Sequence, residues 1–222
     1  MPEPGAQRQE VLDQGSARAW MAGTAEAVAR ERDRLTELDA AIGDGDHGAN
    51  LQRGFAAVQT ALGSAPEPAT PGAVLVTAGM TLISSVGGAS GPLYGSALRT
   101  LGKSLGEAET ADGKQLAAAL AAARDTLQRL GGAQPGDKTM VDAWVPAVAA
   151  FTDAVEGGGS PAAAATAAAA AAEQAAVATT PLQARKGRAS YLGERSIGHQ
   201  DPGATSTALL FRALADALTQ PD

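Results

Sequence analysis

The stretch LDAAIGDGDHG, residues 38–48, places Asp39, Asp44, Asp46 and one of the chain's two histidines, His47, within a few positions of one another, with glycines interleaved. No basic residue follows until Arg53. Two like charges held at ~4 Å in a partly desolvated site repel by a few kcal/mol, so three close carboxylates call for a cation among them. Hard oxygen donors favour magnesium or calcium over zinc or copper. An EF-hand beginning at Asp44 would need glycine at its sixth position and glutamate at its twelfth. Those positions hold Ala49 and Phe55, which excludes it. Magnesium usually takes a few carboxylates and completes its shell with water and phosphate oxygens, so the cluster points to a nucleotide site if anion-binding backbone lies nearby. For an isolated DGD, a solvated turn is the simpler reading; the rest of the chain has to decide.

Two further segments have that character. SVGGASGP, residues 85–92, leads glycines and Ser90 into a helix start, where free N–H groups and the helix dipole favour a phosphate, although the lysine of a Walker A loop is missing. RKGRASYLGERSIGHQDPG, residues 185–203, carries Arg185, Lys186, Arg188 and Arg195, cations suited to phosphate oxygens, and ends in HQDPG before the last helix. Each segment alone reads equally well as an ordinary solvated loop.

The elements that would position these segments are helical. Aromatics make up 3% of the chain and β-branched residues rarely alternate with polar ones, so strand signals are weak. Helical spacing of Val11, Leu12, Trp20, Met21, Ala25, Val28 and Leu35 predicts a first helix over 8–36. Seven more are expected over 50–62, 71–85, 92–105, 112–131, 139–155, 161–179 and 203–218. Thr70-Pro71 and Ser160-Pro161 act as cap-plus-proline starts, Gly131-Gly132 as a stop, and Pro146 as a kink. The alanine tract 162–172 reads as low-complexity sequence whose thin side chains allow close helix approach. Short connections favour antiparallel neighbours, so alternate loops collect at opposite ends. One set is GSAPEPATPG, GEAETADG and EGGGSP. The other is the acidic motif, SVGGASGP, GGAQPGDKT and the basic 185–203 segment, so every chemically unusual loop falls on one rim.

At 222 residues and 45% hydrophobic content, one all-α domain spanning 1–222 is expected: eight antiparallel helices in an up-and-down barrel or bundle with the site at one end. A net charge of -7 argues against nucleic acid. Cysteine is absent, which removes disulfides and thiolate chemistry, and no secretory leader or membrane span is legible, so a cytoplasmic location is expected. Lys138 and Asp142 read as capping or rim groups without a catalytic role, His199 as a loop histidine, and Trp144 as core rather than an adenine platform.

Taken together, the blocks LDAAIGDGDHGAN, GGASGPLYG, GDKTMVDAW and KGRASYLGERSIGHQDPGA, in this order over nearly the whole chain, resemble the nucleotide-binding L subunit of dihydroxyacetone kinase, which also occurs as the C-terminal domain of single-chain kinases. The resemblance implies an eight-helix antiparallel barrel holding ADP or ATP and two magnesium ions at one end. Asp39, Asp44 and Asp46 would bind the metals. His47 and Asn50 would lie beside the nucleotide, Ala89 and Ser90 would cradle phosphates, Gly131 and Met140 would wall the adenosine, and Arg188, Asp201, Pro202 and Gly203 would complete the site. Asp39, Asp44, Asp46 and Arg188 would then serve the phosphoryl transfer itself. Dihydroxyacetone would sit on a separate K subunit, and a phosphohistidine protein of a phosphotransferase system (subunit M) would recharge bound ADP. Alternatives are an ATP-exchanging kinase subunit for a related short sugar, a non-catalytic magnesium-nucleotide sensor that binds a regulator, and a two-metal hydrolase.

Overall fold

Several helices of the chain are started by a side chain that caps them. The computed structural model describes residues 11–64 and 66–219, and the elements below are those of the described residues. Asp13 caps α1 (Gln14–Arg30) in a reciprocal box with Ser16, Asp112 caps α6 (Gly113–Gly131) with Gln115, and Thr139 caps α7 (Met140–Glu156) with Asp142. Thr70 and Ser160 cap α4 (Pro71–Ser85) and α8 (Pro161–Ala178), each with proline at the first helical position, as expected from the sequence. The remaining helices are α2 (Arg32–Ile42), α3 (His47–Leu62), α5 (Ser90–Leu105) and α9 (Pro202–Thr219), with a 3-10 segment at Arg188–Ser196. Two residue pairs, Leu12 with Ala111 and Asp13 with Thr110, form a minimal antiparallel ladder between β1 (Leu12–Asp13) and β2 (Thr110–Ala111).

The expected first helix over 8–36 is corrected: residues 8–10 lie outside the described residues, Leu12 and Asp13 form β1 rather than helix, and the rest is two helices, from Gln14 and from Arg32, separated at Glu31. The described residues therefore hold nine α-helices where eight were expected. No glycine or proline marks the break. It comes from packing: α1 lies against α3 and α9, whereas α2 buries Leu35, Asp39 and Ile42 and lies against α3, α9 and the 3-10 segment. Asp39 consequently sits in the last turn of α2 rather than in a loop. Helix α3 begins at His47 rather than Asn50, and α7 continues through Pro146 as one helix.

Packing runs around a ring, α3 on α4, α4 on α5, and so on in sequence to α8 on α9, closed by α1 between α9 and α3. The core it encloses contains Trp20, Phe151, Phe211 and Trp144, the last 0% exposed and edge-on to Phe211 with ring centroids 5.1 Å apart. Trp144 is thus core, as read from the sequence. The alanine tract has a structural use: Ala164, Ala165, Ala168, Ala169, Ala172 and Ala176 form the buried face of α8 against α7 and α9. Helices α4 and α5 come closest, because Gly79 and Gly95 meet backbone to backbone and leave no room for a Cβ on either.

Candidate functional site

The four loops that precede α3, α5, α7 and α9 meet at one cavity of about 600 Å³, a size that suits a nucleotide. Because all four loops feed helix starts, the positive ends of four helix dipoles converge there; Thr139 and Asp201 cap α7 and α9 and Asp39 takes the first N–H of α3, whereas α5, with Ala89 before it, has no side-chain cap and presents its first N–H groups to an anion. The loop grouping inferred from parity is therefore the grouping in space, and the additional break at Glu31 leaves it intact.

On the acidic side, oxygens of Asp39, Asp44 and Asp46 lie within 4.8 Å of one another. Asp39 is buried, and its Oδ2 accepts hydrogen bonds from the backbone N–H of Asp46 (2.9 Å) and of His47 (3.1 Å), which folds the loop back over the end of α2. Gly43 has to be glycine here, since a Cβ would overlap the Asp39 carboxylate. Asp44 and Asp46 are exposed to the cavity, and Asp44 Oδ2 is 3.1 Å from the Arg188 guanidinium. Three carboxylates with one exposed arginine leave net negative charge, an oxygen donor set that fits a hard divalent cation.

His47 is held at both ring nitrogens. Nε2 is 2.9 Å from Ser206 Oγ, and Nδ1 is 3.1 Å from Ser90 Oγ at the start of α5. Burial pushes its pKa down, against the opposing pull of Asp39 and Asp46. Ser206 in turn contacts the buried Tyr94 hydroxyl at 2.7 Å, and Tyr94 donates to Gly203 O, so α3, α5 and α9 are joined by one polar chain behind the cavity. Ala89, Ser90, Gly131, Met140, Arg188, Asp201, Pro202 and Gly203, all singled out in the sequence, line the cavity with the three aspartates and His47. Asn50 is not among the lining residues: it is buried, and its Oδ1 accepts from Arg53 at 2.8 Å.

Asp201 precedes α9 and accepts from Ala204 N at 2.7 Å. Burial, with Asp142 and Asp39 nearby, raises its carboxyl to about 7. A folded-state value above the unfolded 3.8 means that its stabilising contribution is complete below pH about 3.8 and is lost progressively as pH rises to about 7. Asp201→Asn keeps an acceptor for the cap and cannot ionise. Urea denaturation across pH 4–8 is expected to show the variant gaining stability relative to the parent as pH rises; parallel curves would contradict this.

Sequence reasoning missed two features. Lys138, read as a rim or capping group, does line the cavity wall but is 1% exposed and tied to backbone carbonyls, and the Tyr94–Ser206 pair fixes His47 from behind. The positive φ of Lys138 is invisible in its letter, and hydroxyls buried in helix interiors carry no motif.

Residues 41–216 match the DAK2 domain family. The chain belongs to the DAK2 domain family. It is 43% identical over 208 residues to the ADP-binding subunit DhaL of PEP-dependent dihydroxyacetone kinase 1 from Listeria innocua, covering 91% of this chain and 96% of that one. It is 45% identical over 196 residues to D-erythrulose kinase of Mycolicibacterium smegmatis, covering 88% of this chain but 34% of that longer protein. The dihydroxyacetone kinase from C. freundii in complex with AMP-PNP and Mg2+ shares the fold, with TM-score 0.66 and 23% identity over 97% of this chain and 36% of that chain.

Proposed function

We propose that this DAK2-family chain is the nucleotide-binding subunit of a dihydroxyacetone kinase, with ADP or ATP held through magnesium in the cavity and its terminal phosphate directed at a hydroxyl on a separate K subunit. The observation that carries this is the meeting of three carboxylates with four helix N-termini at one cavity: metal-binding oxygens and phosphate-binding N–H groups share a wall. The match to the Listeria DhaL subunit over nearly both full lengths supports the same assignment.

In this reading Asp39, Asp44 and Asp46 hold two magnesium ions, which supply charge neutralisation of the phosphates and of the developing transition state. The backbone at Ala89 and Ser90 receives phosphate oxygens, and His47, fixed by Ser206, orients Ser90 from behind. Gly131 and Met140 flank the adenosine, and Asp201, Pro202 and Gly203 close the α9 side. Arg188, 67% exposed and able to leave Asp44, adds positive charge where phosphate oxygens arrive. Ring packing supports the finer fold reading, an antiparallel up-and-down barrel of eight helices with α2 as a side branch. No helix among the described residues is long and apolar enough to cross a membrane, which accords with the proposed cytoplasmic site of action.

The separate phosphoryl donor is proposed to be a phosphohistidine protein, subunit M, that recharges ADP as a bound coenzyme. The D-erythrulose kinase relative supports a second reading, an ATP-exchanging subunit serving another short ketose. Gel filtration followed by nucleotide analysis separates them: co-purifying ADP is expected, together with phosphoryl flux to dihydroxyacetone only when both partner proteins are added. Rapid nucleotide exchange with flux from free ATP would favour the second reading, and nucleotide binding without flux from any donor would leave a sensor.

A further inference from the structure

Lys138 is a long cation buried to 1% exposure, with no carboxylate of the described residues in ion-pair contact. Its Nζ donates instead to three backbone carbonyls, Ser196 O at 2.6 Å, Leu182 O at 3.0 Å and Thr180 O at 3.4 Å, so all three ammonium protons are used. Those carbonyls belong to the two ends of one strap, residues 179–201, whose middle carries Lys186 and Arg188 into the cavity. The ends are tied to each other as well: Gly198 N donates to Thr180 O, and Ala184 N donates to Ser196 Oγ. The neighbouring Asp137 carbonyl accepts from Arg185 N at 3.0 Å. Backbone at Lys138 adopts φ 61, a left-handed conformation that side chains other than glycine rarely hold, and this turn is what aims the ammonium at the strap. Burying a charge is costly unless its hydrogen bonds are complete, and a neutral side chain would fill the same space without that cost. A lysine here is explained by the strap it holds.

We infer that Lys138 is a positioning residue for phosphate recognition: by gathering the 180–182 and 196 carbonyls it fixes the strap so that Arg188 stands over the Asp44 side of the cavity. The inference rests on the nucleotide reading above. It makes the cation that meets phosphate dependent on one whose ammonium is turned to the strap carbonyls.

The test is a double-mutant cycle. ADP with magnesium is titrated into the wild-type chain, Lys138→Met, Arg188→Ala and the double variant, and amide hydrogen exchange is followed over residues 180–198 without nucleotide. Each single variant is expected to bind roughly tenfold more weakly, and adding Arg188→Ala to Lys138→Met to change affinity less than about twofold, since contacts that act as one unit are non-additive. Exchange should quicken across 180–198 while the helices stay protected. Equal Arg188→Ala effects in both backgrounds, or wild-type exchange in Lys138→Met, would overturn the inference. If Lys138→Met fails to fold, the chain's lack of cysteine provides a substitute: Lys138→Cys is alkylated while unfolded, then refolded. Aminoethylation restores an ammonium of nearly the same reach and should restore Arg188-dependent binding, whereas carbamidomethylation should not; equal behaviour of the two adducts would count against the inference. A wild-type chain that takes up no nucleotide ends the functional reading instead, and strap exchange still decides whether Lys138 holds the strap.

Discussion

Asp44→Ala is expected to weaken binding of ADP with magnesium by roughly 100-fold or more while leaving the helical circular dichroism unchanged, because in the proposed function the lost carboxylate is a metal ligand and little else. The side chain is exposed to the cavity, and its one ion-pair partner, Arg188, is more exposed still, so the stability of the metal-free protein should shift by less than about 0.5 kcal/mol. Removing one of three mutually repelling carboxylates even offsets part of that loss. Ligand at about 100 times its Kd stabilises a protein by about 2.7 kcal/mol, so magnesium and ADP together should raise the wild-type Tm clearly, and EDTA should reverse the rise. Neither change should be seen in Asp44→Ala. Asp39→Ala is the poorer probe, since it also strands the N–H groups of Asp46 and His47 at a buried position and should destabilise the fold by about 1–3 kcal/mol on that account. Equal calorimetric affinity in wild type and Asp44→Ala would refute the metal assignment.

The acidic cluster was legible because its chemistry is written in local spacing. Asp44, Asp46 and His47 are sequence neighbours, and even Asp39, misplaced into a loop, reaches them because the final turn of α2 returns it beside His47. Cap-plus-proline pairs fixed the starts of α4 and α8 for the same reason: Thr70 and Ser160 bond N–H groups three residues away. Loop parity then carried local features to a global conclusion, since it needs only the alternation of helices and tolerates errors of several residues in their ends.

What stayed hidden depends on partners far away in the chain. The break at Glu31 lies in the uniformly polar run RERDR, where nothing local interrupts the helix; competition between the surfaces offered to α1 and α2 decides it. Lys138 in GDKT looks like a solvated charge until the strap some 40 residues later closes over it. Tyr94 and Ser206 are 112 residues apart, and their hydroxyls meet only because α5 and α9 both begin at the cavity. Asn50 is a different case: it was assigned to the nucleotide through resemblance alone, and in the structure it is not among the lining residues and bonds Arg53, three residues on.

The second large effect belongs to the α4–α5 contact that sets the glycine loop. Gly79→Ala is expected to destabilise the protein by about 3 kcal/mol, measured by urea denaturation, a large share of the 5–15 kcal/mol that typical domains possess. A Cβ at Gly79 would stand 2.5 Å from the Gly95 carbonyl oxygen and 2.6 Å from Arg99 N, and both obstacles are helix backbone, which cannot rotate aside as a side chain would. Relief requires α5 to back away from α4. Because α5 carries Ser90 at its start, that movement would also stretch the 3.1 Å contact between Ser90 and His47 and open the loop at its phosphate side. Gly15→Ala provides the control. It is also a glycine inside a helix, but the nearest atom to its added Cβ is an Asp13 carboxylate oxygen at 3.5 Å, ordinary contact distance. Gly15 lies in the first turn, where the gain in helix propensity is smaller than the ~1 kcal/mol of a helix interior, but it is unopposed, and stability should rise. Opposite signs for one chemical change at two helical glycines follow only if α4 and α5 touch through their backbones; matching signs would show that the two helices have room to part.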